Sequence, residues 1–495
     1  MLGIYTQSDI YLLDAKLASL GRLPEIIDRA GFGIATLANY ILGACYAKSI
    51  TVLVGKGNNG QDGLAASKYL KAWGAKITVI KYDTEHRIIV PSCDLVIDAI
   101  LGVGYKGKFT GYDLDPCTKV LAVDIVSGLN SDTGQASKNA SRADFTISLA
   151  GAKLGTFLGD GIELSGETYL YDLGLGGDLA SDNKLVYPCD VKMGIDKTLL
   201  SHKWHSGLAV FAGSPNMAGA AKMVATAAMR SGAGIVHLFS GDPSIAALVG
   251  ATDPEIVTSA TIEQGTSQED WYERLKRFKA AVVGPGLGVN AKEILHGVSK
   301  SFLGPIVIDA DAISAIAADP SLLASLTRGN RMVVLTPHGG ELANLAKTYS
   351  FGVTNDDLMK FAKSNSLYLV VKGFPTKLYT PKGELFVLPV NPAQLATAGS
   401  GDVLSGILGG SIARWGPNSM ALCHGITLHG VASNLLGKRG AVANEIIGQI
   451  PRAREMIELW PTKSPLEPFW PLQSRGPLLF GLDSSIDWSA RWAQT

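Results

Sequence analysis

Cysteine is scarce in this chain and evenly scattered. The five cysteines occur singly along 495 residues, at Cys45, Cys93, Cys117, Cys189 and Cys423. A structural zinc site needs closely spaced pairs of cysteines, and a disulfide scaffold needs a much higher cysteine density. The sequence therefore argues against both, and a reducing, cytoplasmic location is expected.

The chain also lacks an excess of either charge and a long hydrophobic run. Lys plus Arg number 44 and Asp plus Glu number 44, and no dense basic run with interleaved aromatic residues is present. Nucleic acid is therefore not an expected partner. The apolar stretch 31–47 is interrupted by Thr36 and Asn39, falls short of the roughly 20 residues that span a bilayer, and is interpreted as a core helix. Asp9 and Asp14 near the start argue against a signal peptide, so no membrane is expected either.

What the chain does have is two series of short runs rich in Val and Ile, each followed by a helical stretch. This pattern is typical of buried parallel strands in α/β proteins, and 495 residues exceed what one core organises. Residues 173–187 lack a clear period and form the predicted linker. We predict an α/β domain over residues 1–185, a second α/β domain over 186–455, and an irregular tail over 456–495.

The helical pattern is expected to stop after Pro451. The tail contains four of the eight tryptophans and is expected to pack on the body, with docking of a partner as the alternative.

A glycine-rich turn follows the first strand of the first series. The strand at 51–54 runs into Gly-Lys-Gly-Asn-Asn-Gly-Gln-Asp-Gly at 55–63, and a helix begins near Leu64. Glycines allow close approach of a ligand to the backbone, and a helix N-terminus attracts anions. Asn and Asp add oxygen ligands that a simple phosphate loop does not need. Asp98 and Asp124 end two further strands, and strand ends converge in a doubly wound sheet. Each of these residues alone can be a helix cap; together they predict a site.

These motifs, with Asp-Ile-Val-Ser-Gly-Leu at 124–129 and Lys153, resemble the N-terminal epimerase domain of bifunctional NAD(P)H-hydrate repair enzymes over residues 1–175. The resemblance implies a Rossmann-like three-layer fold that interconverts the R and S hydrates at C6 of the nicotinamide ring. The substrate contacts that it implies are Asn58, Asn59, Gly60, Gln61, Asp62, Gly102, Val103, Gly104, Tyr105, Lys106, Gly107, Lys108 and Asp124. The implied potassium ligands are Asn59, Asp98 and Ser127. Asp124 is the expected acid/base, assisted by Lys153.

Three positions depart from the family pattern. Gln61, Val126 and Asn130 stand where the family has Gly, Pro and Asp. Gln61 is expected to place a side chain where backbone usually approaches the ligand. Two hypotheses therefore stay open for this domain, an epimerase whose activity is impaired and a binding module without catalysis.

A second glycine loop lies late in the chain, at Ala398-Gly-Ser-Gly-Asp402, and leads into a helix. Its N–H groups and the helix dipole can hold phosphoryl oxygens while Asp402 faces an acceptor hydroxyl, which is an arrangement for phosphoryl transfer. Taken alone, the loop can be a plain helix cap. The upstream Lys-Gly-Phe-Pro-Thr at 372–376 makes the combination more specific. His338, with Thr-Pro before it and Glu341 after it, is predicted to contact a ligand rather than fill a core.

These segments resemble the ADP- or ATP-dependent NAD(P)H-hydrate dehydratase, a ribokinase-like α/β fold, over residues 198–451. The resemblance implies that the nucleotide phosphorylates the C6 hydroxyl of the S-hydrate and that phosphate then leaves. The implied nucleotide contacts are Lys372, Gly373, Phe374, Pro375, Thr376 and Gly401. The implied hydrate contacts are Ala220, Gly286, Gly288, His338 and Asp402, with Asp402 also the expected base. Magnesium is expected to bridge the phosphates.

One alternative of the same class is a kinase for a small alcohol or vitamin precursor, because related glycine loops serve many ribokinase-like enzymes. The Asn-Asn-Gly loop of the first domain disfavours it. The expected partners are hydrated NADH or NADPH and an adenine nucleotide, ADP or ATP. A homo-oligomer of unspecified size is expected.

Overall fold

The chain divides into two compact units. The computed structural model describes residues 1–104, 109–175, 181–194, 198–260, 267–389, 393–436, 440–460 and 470–471. The N-terminal unit contains Leu2–Leu185, and the C-terminal unit begins at Val186. Strands and helices alternate in both units, which confirms the α/β fold class.

The N-terminal unit is built on a parallel sheet. Its elements are β1 Leu2–Tyr5, α1 Gln7–Ser19, α2 Leu23–Ile41, β2 Ser49–Val54, α3 Asn58–Ala72, β3 Lys76–Lys81, β4 Ile88–Ile89, β5 Leu95–Ala99, β6 Tyr112–Asp113, β7 Lys119–Val123, β8 Phe145–Leu149, β9 Ala152–Lys153, α4 Gly161–Leu164, β10 Glu167–Tyr171 and β11 Asn183–Leu185. The main sheet has the order β10-β8-β7-β5-β2-β3, and all of these neighbours pair in parallel.

Both faces of this sheet are covered. Along β2, Val52 and Val54 belong to a core cluster shared with α2 and α3, whereas Leu53 belongs to a second cluster on the other face. Successive side chains of a strand point to opposite faces, so a sheet buried on both sides requires such a continuous apolar run. The apolar stretch 31–47 is helical only as far as Ile41, where α2 ends. No helix among the described residues is long and apolar enough to cross a bilayer.

The C-terminal unit has a larger, mostly parallel sheet. Its elements are β12 Gly207–Phe211, α5 Ala218–Arg230, β13 Ile235–Ser240, α6 Pro243–Thr252, β14 Val257–Ala260, α7 Gln268–Leu275, β15 Ala280–Val283, α8 Ala291–Ser301, β16 Ile306–Ile308, α9 Asp311–Ala318, α10 Ser321–Leu326, β17 Val333–Leu335, α11 Gly339–Tyr349, α12 Asn355–Ser364, β18 Tyr368–Val371, β19 Thr376–Tyr379, β20 Leu385–Leu388, α13 Ser400–Trp415, α14 Ser419–Asn434 and α15 Ala443–Leu459. The strand order is β14-β13-β12-β15-β16-β17-β18-β19-β20. Pairing is parallel from β14 to β18 and antiparallel from β18 to β20.

Helix α13 is central to this unit and is buried from Val403 to Ala413. Its glycines allow this packing. A Cβ on Gly406 would lie 2.3 Å from the carbonyl oxygen of Val224 in α5, and a Cβ on Gly409 would lie 2.3 Å from the side chain of Val282 in β15. The middle of α13 is thereby packed closely against α5 and β15.

Two segments differ from the expectations at the domain ends. Helix α15 continues through Pro451 to Leu459, because Ile450, Ala453 and Ile457 recur at helical spacing and are buried. In the predicted linker, Leu173 and Leu175 pack in the core of the N-terminal unit. Beyond Trp460 the predicted tail lies outside the described residues except for Trp470–Pro471, strand β21, which pairs with β10.

Candidate active sites

The glycine turn of the N-terminal unit lies tightly against the end of β5. Helix α3 begins at Asn58, after the N-cap Gly57. A Cβ on Gly55 would lie 1.9 Å from the carbonyl oxygen of Ile100, and a Cβ on Gly60 would lie 2.1 Å from the carbonyl oxygen of Gly55. Backbone packing alone therefore requires glycine at both positions, whatever ligand the turn binds.

Asp98 is a fully buried carboxylate at the end of β5, with 0% exposure. It accepts hydrogen bonds from Ser127 Oγ at 2.7 Å, Ser141 Oγ at 2.8 Å, Tyr112 OH at 3.2 Å and the Ile100 amide at 3.2 Å. Burial raises the pKa of Asp98, and the hydrogen bonds from the two serines oppose that rise. Asp98 and Ser127, both predicted potassium ligands, are thus in direct contact.

Asn59, the third predicted potassium ligand, lies in the first turn of α3. Its side chain is 8% exposed, and neither atom of its amide has a hydrogen-bond partner among the described residues. A Cβ on Gly102, just past the end of β5, would lie 3.3 Å from the Cβ of Asn59. An unsatisfied buried amide costs about 1–3 kcal/mol. The side chains of Asn59, Ser127 and Asp98 each offer an oxygen of the kind that suits a hard monovalent cation.

The two predicted catalytic groups of this unit form an ion pair. The Lys153 ammonium donates to Asp124 Oδ1 and, at 2.6 Å, to the carbonyl oxygen of Leu149. Lys153 is 1% exposed, and the Asp124 side chain is 13% exposed. Asp124 has a positive φ of 69°, and the Leu149 amide donates to its Oδ1 at 3.2 Å. The Asp124 carboxylate is therefore fixed from two sides and only partly covered.

Two more carboxyl groups lie near this pair. Burial, together with the charges of Asp124 and Asp14, raises the pKa of Asp62 to about 8. Burial and the Asp124 charge also raise the pKa of Asp14, whose Oδ2 accepts a hydrogen bond from the side-chain Nδ2 of Asn58 at 3.5 Å. The sequence analysis did not place Asp14 in the site. Its only signal is that it shares the helical spacing of the buried residues Ile10 and Leu17 of α1.

The structure accommodates the three departures from the family pattern. Gln61 is exposed, and its backbone amide makes a helical hydrogen bond to Gly57. Val126 is fully buried. Asn130 Oδ1 accepts hydrogen bonds from the amides of Asp132 and Thr133, at 3.0 and 2.9 Å. An Asn serves in this turn as an Asp does. Of the predicted loop contacts, Gly102, Val103 and Gly104 follow β5, and Tyr105, Lys106, Gly107 and Lys108 lie outside the described residues.

In the C-terminal unit, three elements meet at the Asp309 carboxylate. Asp309 follows β16 and is 1% exposed. Its Oδ1 accepts from Lys372 Nζ at 2.7 Å, and its Oδ2 accepts from Ser405 Oγ at 2.5 Å. Lys372 follows β18 and Ser405 lies in α13. Neither Asp309 nor Ser405 is among the contacts predicted from the sequence.

The glycine loop lies at the same place. Gly399, with a φ of 88°, is the N-cap of α13. A Cβ on Gly401 would lie 3.4 Å from Lys372 Nζ, so these two predicted nucleotide contacts are adjacent. Asp402 is in the first turn of α13. Burial, with the nearby charge of Asp309, raises the pKa of Asp402 to about 6, while Lys372 opposes the rise.

His338 is the N-cap of α11 rather than a core residue. Its side chain is 61% exposed. Nδ1 accepts from the Gly340 amide at 3.0 Å, so the neutral ring carries its proton on Nε2, which lies 3.4 Å from Glu341 Oε1. The Glu341 side chain is 11% exposed, and burial raises its pKa. His338 therefore presents an accessible imidazole at the end of β17.

The remaining predicted contacts follow neighbouring strands. Gly286 has a φ of 64°, and a Cβ there would lie 3.1 Å from the Cβ of Ala220, which brings these two residues together. The Gly288 amide donates to Asp311 Oδ2 at 2.8 Å. Past β18, Thr376 Oγ1 donates to the carbonyl oxygen of Gly373 at 3.1 Å, and between them Phe374 is 46% exposed and is joined to Pro375 by a cis peptide.

His429 in α14 is a further neighbour that the sequence did not reveal. It is 5% exposed, and its Nε2 has no hydrogen-bond partner among the residues that the structure describes. Burial, with a smaller effect from the Lys372 charge, lowers the pKa of His429 to about 3. A histidine in a helix buried on all sides has no amphipathic pattern that would single it out.

Both units match models of known protein families. A family model described as NAD(P)H-hydrate dehydratase matches residues 208–452, and one described as YjeF-related protein N-terminus matches 24–89 and 80–155. The bifunctional NAD(P)H-hydrate repair enzyme of Moorella thermoacetica is 28% identical, covering 92% of this chain and 97% of the relative. That of Coxiella burnetii is 30% identical, covering 81% and 89%.

Among solved structures, the ADP/ATP-dependent NAD(P)H-hydrate dehydratase from Bacillus subtilis, co-crystallised with ATP and Mg²⁺, is similar to part of the chain. It is 25% identical with a TM-score of 0.45, and the match covers 55% of this chain and 97% of that one. The chain belongs to the family of bifunctional NAD(P)H-hydrate repair enzymes.

Proposed function

We propose that this protein repairs hydrated NADH and NADPH with two sites on one chain. The C-terminal unit uses ADP or ATP to dehydrate the S-hydrate, and the N-terminal unit interconverts the R and S forms. The observation that carries the proposal is the meeting of Lys372, Asp309 and Asp402 at the start of α13. A helix N-terminus, a lysine and a partly covered carboxylate are the parts that phosphoryl transfer to a hydroxyl needs.

In the C-terminal site, the N–H groups at the start of α13 and the Lys372 ammonium would bind the nucleotide phosphates, with Gly373 to Thr376 beside them. Asp402 would accept the proton of the C6 hydroxyl as that oxygen takes up the phosphoryl group. Phosphate leaves more readily than hydroxide. Its departure from C6, together with the loss of a proton from C5, would restore the C5–C6 double bond of the dihydronicotinamide, and the nucleotide would be released one phosphate shorter. Ala220, Gly286, Gly288 and His338 would hold the hydrate.

Magnesium fits this site as a partner of the phosphates. Mg²⁺ is usually held by substrate phosphates plus one or two carboxylates. Glu341 is the carboxylate that would reach it, because Glu341 lies close enough to Lys372 and Asp309 for their charges to act on it. When bound, the ion supplies neutralisation of phosphate charge.

In the N-terminal site, Asp124 would act as the acid/base for the reaction at C6, the carbon that bears the hydroxyl beside the ring nitrogen, while Lys153 holds its carboxylate in place. Asp62, whose pKa is raised to about 8, is mostly protonated at neutral pH and can donate a hydrogen bond to the same hydroxyl. Asn59, Asp98 and Ser127 would hold potassium, and the unpartnered amide of Asn59 supports this assignment. The intact Asp124–Lys153 pair favours a catalytic epimerase over a binding module.

The test is recovery of reduced cofactor from a mixture of both hydrates. Purified protein is given chemically hydrated NADH, Mg²⁺ and either ADP or ATP, and the absorbance of reduced nicotinamide is followed. Recovery of the S fraction alone establishes the dehydratase and shows an inactive epimerase. Recovery beyond that fraction, faster than spontaneous epimerisation, shows both activities. No recovery with either nucleotide overturns the proposal in favour of a small-alcohol kinase, which the family comparison supports less.

The location and assembly state are part of the proposal. The structure shows no disulfide at any of the five cysteines, which supports a reducing, cytoplasmic location. Exposed aromatic residues such as Tyr40 and Tyr46, at 71% and 77%, support a homo-oligomer. Light scattering coupled to size-exclusion chromatography measures the mass in solution, and a mass of one chain at all concentrations would exclude the oligomer.

A further inference from the structure

We propose that Asp309 is a positioning residue of the dehydratase, which fixes the Lys372 ammonium and the start of α13 relative to each other. The inference rests on the proposed dehydratase function, and it assigns a role to a residue outside the predicted contacts. Asp309 would not touch the substrate. It would act through Lys372 and through Ser405.

The geometry gives each carboxylate oxygen of Asp309 its own partner. Oδ1 accepts from Lys372 Nζ at 2.7 Å, and Oδ2 accepts from Ser405 Oγ at 2.5 Å. Because both oxygens are used, the plane of the carboxylate is fixed. The hydroxyl of Ser405 is also within 3.1 Å of the Gly401 carbonyl oxygen, so this contact reaches the glycine loop itself.

Lys372 is held by contacts of its backbone amide as well as of its side-chain ammonium. Its amide donates to the carbonyl oxygen of Pro337 at 3.0 Å, which ties the end of β18 to the end of β17. Its ammonium lies beside Gly401, where a Cβ would be only 3.4 Å away. The Lys372 side chain is 19% exposed, whereas that of Asp309 is 2% exposed. The lysine can therefore reach a phosphate at the loop, and the aspartate can only orient the lysine.

The carboxylate also acts on Asp402 through its charge. Asp402 is surrounded by Asp309, Asp311 and Lys372, from the ends of β16 and β18 and the start of α9. The negative charge of Asp309 raises the pKa of Asp402, and Lys372 lowers it. Removing the Asp309 charge should therefore lower the pKa of Asp402 through two effects. A negative charge that repels the Asp402 carboxylate is lost, and Lys372 loses the counter-ion that balances its positive charge.

The experiment compares Asp309→Asn with Asp319→Asn in the full-length protein. Asp319 follows the last residue of α9, at the opposite end of that helix from Asp311. It pairs with Lys292 at 3.0 Å, so its substitution removes one carboxylate that, among the described residues, is bonded to neither Lys372 nor Ser405. We expect kcat for dehydration of the S-hydrate to fall on the order of 100-fold in Asp309→Asn, as for a misplaced catalytic group. Nucleotide affinity, measured by calorimetry, should change little. The acid limb of the pH profile should move to lower pH. Asp319→Asn should behave as wild type in all three.

A double-mutant cycle with Lys372→Met separates positioning from a general structural role. If Asp309 acts through Lys372, Asp309→Asn should add little to the loss already caused by Lys372→Met. The inference is overturned if the kcat loss of the double variant equals the product of the two single losses. It is also overturned if Asp309→Asn alone has wild-type kcat and the same pH dependence as wild type at acid pH. Should Asp309→Asn fail to fold, Ser405→Ala must show a smaller kcat loss in the same direction, and wild-type kcat there also overturns it. A wild-type protein that restores no absorbance overturns the proposed function and this inference together.

Discussion

Asp402 is the residue whose charge state decides the proposed dehydration. Burial and the charge of Asp309 raise its pKa to about 6, and the opposing effect of Lys372 keeps it from rising further. A base of this pKa is largely ionised near pH 7 and still accepts a proton readily. The site thus combines a carboxylate that is ready to act with a lysine whose charge is already balanced by Asp309.

The raised pKa of Asp402 predicts that kcat for dehydration decreases at acid pH with a single apparent pKa, the acid limb of the pH profile. Since the ionised form of Asp402 is the active one, kcat should be constant above about pH 6 and fall about tenfold per pH unit below it. Asp402→Asn should fold and bind nucleotide but lose nearly all turnover, and its residual rate should show no such limb. Steady-state rates at saturating nucleotide and constant free Mg²⁺ measure this. A full rate in Asp402→Asn would remove Asp402 from the mechanism.

His429 predicts a pH effect on stability rather than on catalysis. Its folded-state pKa is lowered from 6.5 to about 3, so the unfolded chain binds this proton first as the pH falls. The stability that the neutral ring provides is complete above pH 6.5 and is lost by about 1.4 kcal/mol per pH unit below it, until about pH 3. His429→Gln should flatten this loss in urea unfolding at pH 7 and pH 5. His296→Gln, an exposed histidine on α8, is the control and should keep the wild-type slope.

At the scale of elements, the glycines from the end of β2 to the first turn of α3 differ in how much room the structure leaves for a side chain. Gly55 and Gly60 contact carbonyl oxygens so closely that a side chain cannot be added without moving backbone, whereas nothing lies within 4 Å of a Cβ placed on Gly57. The Gly57 φ is −90°, which any residue adopts. Packing, and not ligand approach alone, therefore determines part of the motif.

Gly60→Ala and Gly57→Ala form a matched pair that tests this difference. Gly60→Ala should push the start of α3 away from Gly55, at the end of β2, and cost about 1–3 kcal/mol of stability, as overpacked sites do. It should also reduce epimerisation, since Asn59 moves with the helix. Gly57→Ala should leave both the unfolding free energy and the epimerase rate close to wild type. Equal effects of the two substitutions would contradict the packing argument.

For the whole molecule, each candidate site is built from residues of a single unit. The N-terminal site uses residues from Asp14 to Lys153, and the C-terminal site uses residues from Ala220 to His429. The parallel strands β10-β8-β7-β5-β2-β3 belong to the N-terminal unit, and the parallel strands β14 to β18 belong to the C-terminal unit. Neither site borrows one of these side chains from the other unit, so we expect the two activities to be separable by substitution.

Complementation between inactive variants tests that separation. Asp124→Asn should recover only the S-hydrate at the wild-type rate, and Asp402→Asn should interconvert the hydrates without restoring reduced cofactor. An equal mixture of the two proteins should recover both fractions, because the S-hydrate made on one molecule can diffuse to another. If the mixture stops at the S fraction, then the epimerase of Asp402→Asn does not work independently.

The sequence predicted the repeated α/β pattern, the two glycine loops and the convergence of residues such as Asp98 with Ser127 and Gly401 with Lys372. These follow from strand ends in a parallel sheet, which local patterns reveal. It did not reveal Asp14, Ser405 or His429, or the role of Asp309. Their contacts depend on which helix packs over which strand end, and a single buried polar residue in a helix carries no periodic signal for that. Pro451 predicts the end of a helix, whereas α15 extends to Leu459 because buried residues continue at helical spacing beyond the proline.

The contacts of Asp309 also have a consequence for how the chain folds. Its two partners are 63 and 96 residues further along the sequence, so the carboxylate acquires both only after α13 has been made and has docked. During synthesis, a chain that ends before Ser405 contains β16 and its aspartate without that second partner. Contacts of such long sequence separation form late in refolding as well. Return of dehydratase turnover should therefore lag behind the return of secondary structure, and the enzyme's own activity becomes a reporter of completed folding.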